Sequence, residues 1–175
     1  MGTDSPSLPP VIAATSAQEA ALEGLWRRYV ADLRAFDPDL VYDGTSFSRL
    51  MRAATSPGGA PLRVLVQPER SGADARLLGF LVARTRMPSR TLSGGTKLEG
   101  FVSDCYVLEE ARRSGVARRL HAAALAFYAE HGIGTIGLMV LAANAQALRF
   151  WESLGYRDHL RELRLHFGSQ EPPSS

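Results

Sequence analysis

The stretch Asp104-Cys105-Tyr106-Val107-Leu108-Glu109-Glu110-Ala111-Arg112-Arg113-Ser114-Gly115-Val116-Ala117 decides how the rest of the chain is read. Its first five residues close an apolar run over 98–108, and its last four open an amphipathic run over 114–130, so a strand is expected to hand over to a helix between them. At that junction Gly115 has no Cβ, which lets an anion approach the backbone closely. The N–H groups of residues 113–117 lie at the positive end of the expected helix. Such geometry suits a pyrophosphate. Arg118 and Arg119 follow one turn later, where a guanidinium can meet a second phosphate with two parallel hydrogen bonds. A solvated basic helix start that binds nothing has the same spacing.

Downstream, residues 135–141 read as a strand, 145–154 as a helix and 156–167 as a further strand. Upstream, residues 62–67 and 77–86 are apolar runs flanking a polar turn over 68–75, the pattern of a β-hairpin, and a loop over 88–95 leads into the run at 98–108. Three successive strands without helices between them imply an antiparallel meander. Leu22, Leu25, Trp26, Tyr29, Val30 and Leu33 recur on one face of a helix that should end near Phe36, before Asp37-Pro38. Ser16 followed by Glu19 has the spacing of a capping box at its start, and residues 11–14 read as a strand before it. Residues 37–61 carry breakers, around a short helix over 46–54. The order β-α-α-β-β-β-α-β-α-β, antiparallel strands followed by a βαβ crossover, implies a mixed sheet flanked by helices on both faces, an α/β or α+β architecture. The expected organisation is one domain over 11–167, with flexible tails at 1–10 and 168–175.

A length of 175 residues leaves room for little more than one domain, and 45% hydrophobic with 22% charged residues excludes a wholly disordered chain. No apolar run approaches the roughly 18–20 residues of a membrane span, and the N-terminus lacks the basic and apolar regions of a signal peptide; a cytoplasmic protein without a membrane partner is expected. Cys105 is the single cysteine, which excludes an internal disulfide framework and a cysteine zinc cluster. The formal net charge is only +2, too slight an excess to imply nucleic-acid binding.

The quoted stretch resembles the acetyl-CoA signature of the GNAT superfamily of N-acetyltransferases, whose loop runs Q/R-x-x-G-x-G/A; Arg112, Gly115 and Ala117 fill its defined places. About thirty residues on, Asn144, Ala147, Phe150, Trp151, Leu154, Gly155 and Tyr156 resemble the family's N-x-x-A-x-x-F-Y-x-x-x-G-F. The resemblance implies a GNAT-like fold with acetyl-CoA as cosubstrate. Tyr106, Val107 and Leu108 would hold the pantetheine arm, while Arg112, Arg113, Ser114, Gly115, Val116, Ala117 and Arg118 would hold the pyrophosphate. Asn144 would reach the cofactor from the next strand, a role compatible with capping the following helix. Trp151 would pack against it. The implied reaction moves acetyl directly to a primary amine, the partner being a small-molecule amine and no metal or protein nucleophile being needed. Relatives are often dimers, so a homodimer is an implied assembly. A non-catalytic acyl-CoA-binding regulator is the alternative function.

Acetylation of an amine requires loss of a proton from a group whose ordinary pKa is about 10.4. Asp104, just before the cofactor loop, is the candidate base or amine anchor; some relatives carry a glutamate one residue earlier, where this chain has Ser103, and neighbouring strand residues face opposite ways. Trp151 stands where many relatives have a tyrosine that serves as general acid, and an indole cannot fill that role. Tyr106, Tyr156 or water is left to protonate the thiolate. Phe36, Asp37, Asp39, Tyr42 and Asp43 either attract a cationic acceptor or form ordinary turns.

Overall fold

The computed structural model describes residues 8–56, 61–87 and 98–165. The expected loop at 88–95, the tail from 168 and the N-terminal tail before residue 8 lie outside them. Five strands and four helices form among the described residues. They are β1 Ile12–Ala13, α1 Glu19–Leu33, α2 Gly44–Thr55, β2 Leu62–Pro68, β3 Leu77–Arg86, β4 Glu99–Val107, α3 Val116–Glu130, β5 Ile136–Leu138 and α4 Ala145–Glu152. The chain packs as two units, Met1–Leu141 with the sheet and the first three helices, and Ala142–Ser175 with α4.

In the first unit the sheet order is β1-β2-β3-β4-β5. β2, β3 and β4 pair antiparallel, as the meander predicts; β1 adds antiparallel to β2, and β5 lies parallel to β4 after the crossover through α3. The central strand β3 is buried at each of residues 77–83, so its sequence is a continuous apolar run rather than an alternating one. Helices cover both faces. On one, Phe80 stacks on Trp26 of α1 with ring centroids 4.7 Å apart, and Trp26 also meets Phe47 of α2 at 5.7 Å. On the other, Arg63 lies over Phe127 of α3, and Arg119 of α3 donates from Nε to Gln67 Oε1 at 2.9 Å. Tyr128 of α3 crosses β4 so closely that a Cβ at Gly100 would lie 2.8 Å from its ring, which only glycine permits.

Local chemistry sets the helix starts. The capping box before α1 sits one residue earlier than expected: the Thr15 hydroxyl accepts from the Ala17 N–H and the Gln18 side chain accepts from the Thr15 N–H, beginning a short 3₁₀ turn that runs into α1. Asp43 caps α2, accepting from the N–H groups of Thr45 and Ser46.

In the second unit Asn144 caps α4, its Oδ1 accepting from the Ala147 N–H at 3.1 Å, and Trp151 is buried. The expected strand at 156–167 does not form over its described part. Residues 156–165 carry no strand pairing, and Leu160, Leu163 and Leu165 are 70%, 91% and 87% exposed. Leu160 falls on the opposite strand face from Leu163 and Leu165, no described strand pairs with them, and without a ladder partner propensity alone does not make a strand.

Candidate active site

β4 and β5 pair from Gly100↔Ile136 to Val102↔Leu138, and there the pairing stops while β4 continues five residues further, to Val107. On the β5 side, residues 103–107 therefore present main-chain groups that β5 does not use. The parting coincides with a β-bulge. Val82 of β3 faces Asp104 and Ala83 faces Val102, which leaves Ser103 as the extra residue. A bulge overrides the strict alternation of a strand, and here it sets Ser103 and Asp104 side by side opposite Val82 and Ala83.

Asp104 lies on the α1 side of the sheet with Phe80 and Tyr106. Burial pushes its carboxyl above the ordinary carboxylate value; the hydroxyls of Ser103 and Tyr29 and the charge of Arg84 oppose that shift. Tyr106 is buried, and its hydroxyl donates to Asp32 of α1 at 3.2 Å. Burial and the neighbouring Asp32 charge raise the Tyr106 phenol, making it a weaker acid than a free tyrosine. Cys105 is desolvated, with its thiol pushed up to about 12, and holds no thiolate at neutral pH.

Beyond β4 a short 3₁₀ turn, Glu109–Ala111, leads to the junction. Arg113 and Gly115 both take left-handed conformations, φ 67° and 86°. Gly115 is the N-cap residue of α3 and offers no side-chain cap, so the first N–H groups of the helix lack an intrahelical acceptor. A Cβ there would meet nothing within 4 Å. Glycine is thus required by conformation, and the space beside it is open. The Ser114 hydroxyl donates to the Ala111 carbonyl at 2.7 Å and tightens the turn; Val116 is buried and Ala117 half-buried.

The arginines divide between structure and site. Arg112 donates from Nε to the Val107 carbonyl at 3.1 Å and from Nη2 to Asp32 at 2.8 Å, so it braces the end of β4 against α1. Arg119 is not placed for a phosphate: besides Gln67 it donates to the carbonyls of Leu8 and Pro9 at 3.0 and 2.6 Å, fixing the chain before β1. A shallow recess of about 220 Å³ opens beside the junction, lined by Arg28, Ala31 and Asp32 of α1 with Tyr106, Leu108, Glu109 and Glu110.

A parted strand pair, a bulged carboxylate and a helix N-terminus opened by glycine occur in succession along one segment, and the sequence pattern of the acetyltransferase (GNAT) family matches residues 34–156. The chain belongs to that family. Solved structures agree with the GNAT fold. A tetramutant of the BH1408 protein from Bacillus halodurans is 20% identical, with a TM-score of 0.75, covering 91% of this chain and 100% of that one. An aminoglycoside 6'-N-acetyltransferase from Acinetobacter haemolyticus is 17% identical, TM-score 0.68, with coverages of 93% and 100%. AAC(6')-Iy, solved in complex with the bisubstrate analogue CoA-S-monomethyl-acetylneamine, is 17% identical, TM-score 0.65, with coverages of 91% and 97%. No curated protein matches the sequence.

Within this GNAT domain, Asp104, Tyr106, Val107 and Leu108 and the loop from Arg112 to Arg118 form one continuous strand-loop-helix segment. Asn144 and Trp151 belong to the second unit, where Trp151 packs against Phe150 and Tyr156 with ring centroids 4.9 and 5.4 Å apart. Tyr29 and Asp32 escape a sequence reading because Tyr29 counts as one more apolar residue on α1; their spacing of three, on one helical face, is the signal that would have found them. The acidic lip is used locally: Asp43 is a helix cap, the Asp37 carboxylate accepts from the Asp39 N–H, and Tyr42 donates to Glu23. No described helix is long and apolar enough to cross a membrane.

Proposed function

We propose that this acetyltransferase moves an acetyl group from acetyl-CoA directly to a primary amine of a small molecule. The observation that carries the reading is the parting of β4 from β5 at Val102, beside Asp104 and leading into the Gly115 helix start. Extended main chain at 103–107 suits an amide-bearing arm such as pantetheine, which recognises backbone as a neighbouring strand would. The open N–H groups around Gly115 suit a pyrophosphate, with Arg113 and Arg118 beside them. When bound, acetyl-CoA supplies the activated thioester.

The chain's own residues then have three tasks. Asp104 attracts the ammonium of the acceptor and takes its proton, directly or through water; burial raises the carboxyl toward the working pH, which makes it a better base than a solvated aspartate. A main-chain N–H of β4 polarises the carbonyl under attack. The departing thiol, with an ordinary value near 8.5, needs little help at neutral pH, so Tyr106, whose proton is directed at Asp32, is not required to supply it. The raised Cys105 thiol favours direct transfer over an acyl-cysteine route.

Calorimetry with acetyl-CoA tests the cofactor site. The parent should bind. Gly115→Asp, which puts a negative charge into open space at a cost of about 1–2 kcal/mol of backbone strain, should keep its circular dichroism and lose binding. Undiminished affinity in that variant would remove the loop from the site.

A further inference from the structure

The chain before β1 is tied to the start of α3. β1 pairs with β2 at Ile12↔Val66 and Ala13↔Leu65, and ahead of it stand Pro9 and Pro10, which have no N–H with which to extend the ladder. Side chains take over there. Gln67 of β2, fully buried, donates from Nε2 to the Pro9 carbonyl at 2.8 Å and to the Pro68 carbonyl at 2.9 Å. Its Oε1 accepts from Arg119 Nε at 2.9 Å, and Arg119 Nη2 donates to the carbonyls of Leu8 and Pro9 at 3.0 and 2.6 Å. The buried amide thus uses both of its donor hydrogens and its acceptor oxygen, which makes the network costly to break.

Arg119 stands one turn into α3. Its own N–H donates to the Gly115 carbonyl at 3.0 Å, so one residue links residues 8–9, through its side chain, to the glycine that opens the helix, through its main chain. The rings of Pro9 and Pro10 fix φ, and a residue that precedes proline is confined to extended backbone. The two carbonyls therefore sit on a stiff piece of chain. Val116 and Leu120, both buried, hold the same turn on its apolar side, but apolar burial is non-directional, whereas the planar guanidinium fork is oriented by each acceptor it meets. The hydrogen bonds set where the first turn lies against β2 and how its open N–H groups point.

We propose that residues 8–9, acting through Gln67 and Arg119, position the first turn of α3 for the cofactor, with Arg119 a positioning residue rather than a phosphate ligand. This rests on the cofactor site proposed above at the Gly115 loop.

The test is calorimetry of acetyl-CoA with the full chain, with Arg119→Met, with a variant lacking residues 2–9 and with both changes together. Either change alone should weaken binding about two- to thirtyfold, the range for residues that modulate a site they do not touch. Both together should weaken it no more than the stronger single change, because each removes the same link. Additive losses would show that Arg119 meets the cofactor itself, and unchanged affinity in folded variants would show a network that is structural only; either result overturns the proposal. A variant lacking residues 2–7 keeps both carbonyls and should bind like the parent, so a loss equal to that of the longer deletion would overturn it too. If the variants fail to fold, the parent decides: by linkage, acetyl-CoA should slow amide hydrogen exchange over residues 8–14 relative to α2, and exchange that does not respond to the cofactor would overturn the proposal. A parent that does not bind acetyl-CoA, or a Gly115→Asp that binds as the parent does, would remove the cofactor site and the positioning role with it. Binding that Gly115→Asp abolishes and Arg119→Met leaves intact would overturn the positioning role alone.

Discussion

Asp104 is held at a cost. A carboxyl raised in the folded state binds more protons there than in the unfolded chain, so stability falls as pH rises from the unfolded value near 3.9 through the folded one. Asp104→Asn should therefore melt higher than the parent at pH 8, the difference vanishing toward pH 3, while kcat/KM for the amine drops by about 10² or more. A variant that melts lower at pH 8 and keeps its activity would mark the group as structural. Trp151 is the opposite case, a side chain whose chemistry departs from the family pattern. Its indole is buried against Phe150 and Tyr156, so Trp151→Phe should retain most activity and Trp151→Tyr should gain little. A rise of about a hundredfold in the tyrosine variant would show that a missing general acid limits the protein. At this scale the sequence yields residue types but not orientations. Asp104 stands out by position, whereas the β-bulge that carries it is one that no local pattern marks.

The elements were legible where one interaction dominated. The continuous apolar run of β3, the hairpin joining it to β2 and the 3.6-residue repeat of α1 each follow from burial, and the structure uses them as expected. Phe80 anchors that arrangement, fully buried and stacked on Trp26, so Phe80→Ala should cost about 3–5 kcal/mol in a denaturant titration; a loss below about 1 kcal/mol would mean that α1 does not depend on this contact. Reading failed where a pattern needed a distant partner. Residues 156–165 read as the strand that follows the last helix, yet Leu163 and Leu165 stay exposed with no ladder beside them. Arg119 has the spacing of a phosphate ligand, but Gln67 and the Leu8 and Pro9 carbonyls claim it from more than fifty residues away. Three aspartates in seven residues suggest a lure for cations, while Asp43 and Asp37 satisfy backbone N–H groups a few residues on, the usual work of aspartate in turns.

For the molecule as a whole, the family assignment and the geometry of β4 converge on acetyl transfer, and the acceptor is the part that the fold leaves open. Similar structures include aminoglycoside acetyltransferases at 17% identity or less, which carries the fold and not the substrate. Binding of acetyl-CoA alone does not separate an enzyme from a regulator that kept the site. Turnover does. The deciding measurement is amine-dependent release of CoA, with the acetylated product identified by mass spectrometry, for the parent and Asp104→Asn over a panel of polyamines, aminoglycosides, amino acids and peptide N-termini. The account predicts that at least one amine is acetylated by the parent well above its rate in buffer, and that Asp104→Asn loses most of that rate while still binding acetyl-CoA. A parent that binds acetyl-CoA yet acetylates none of them, or an Asp104→Asn variant that matches it, would contradict the account.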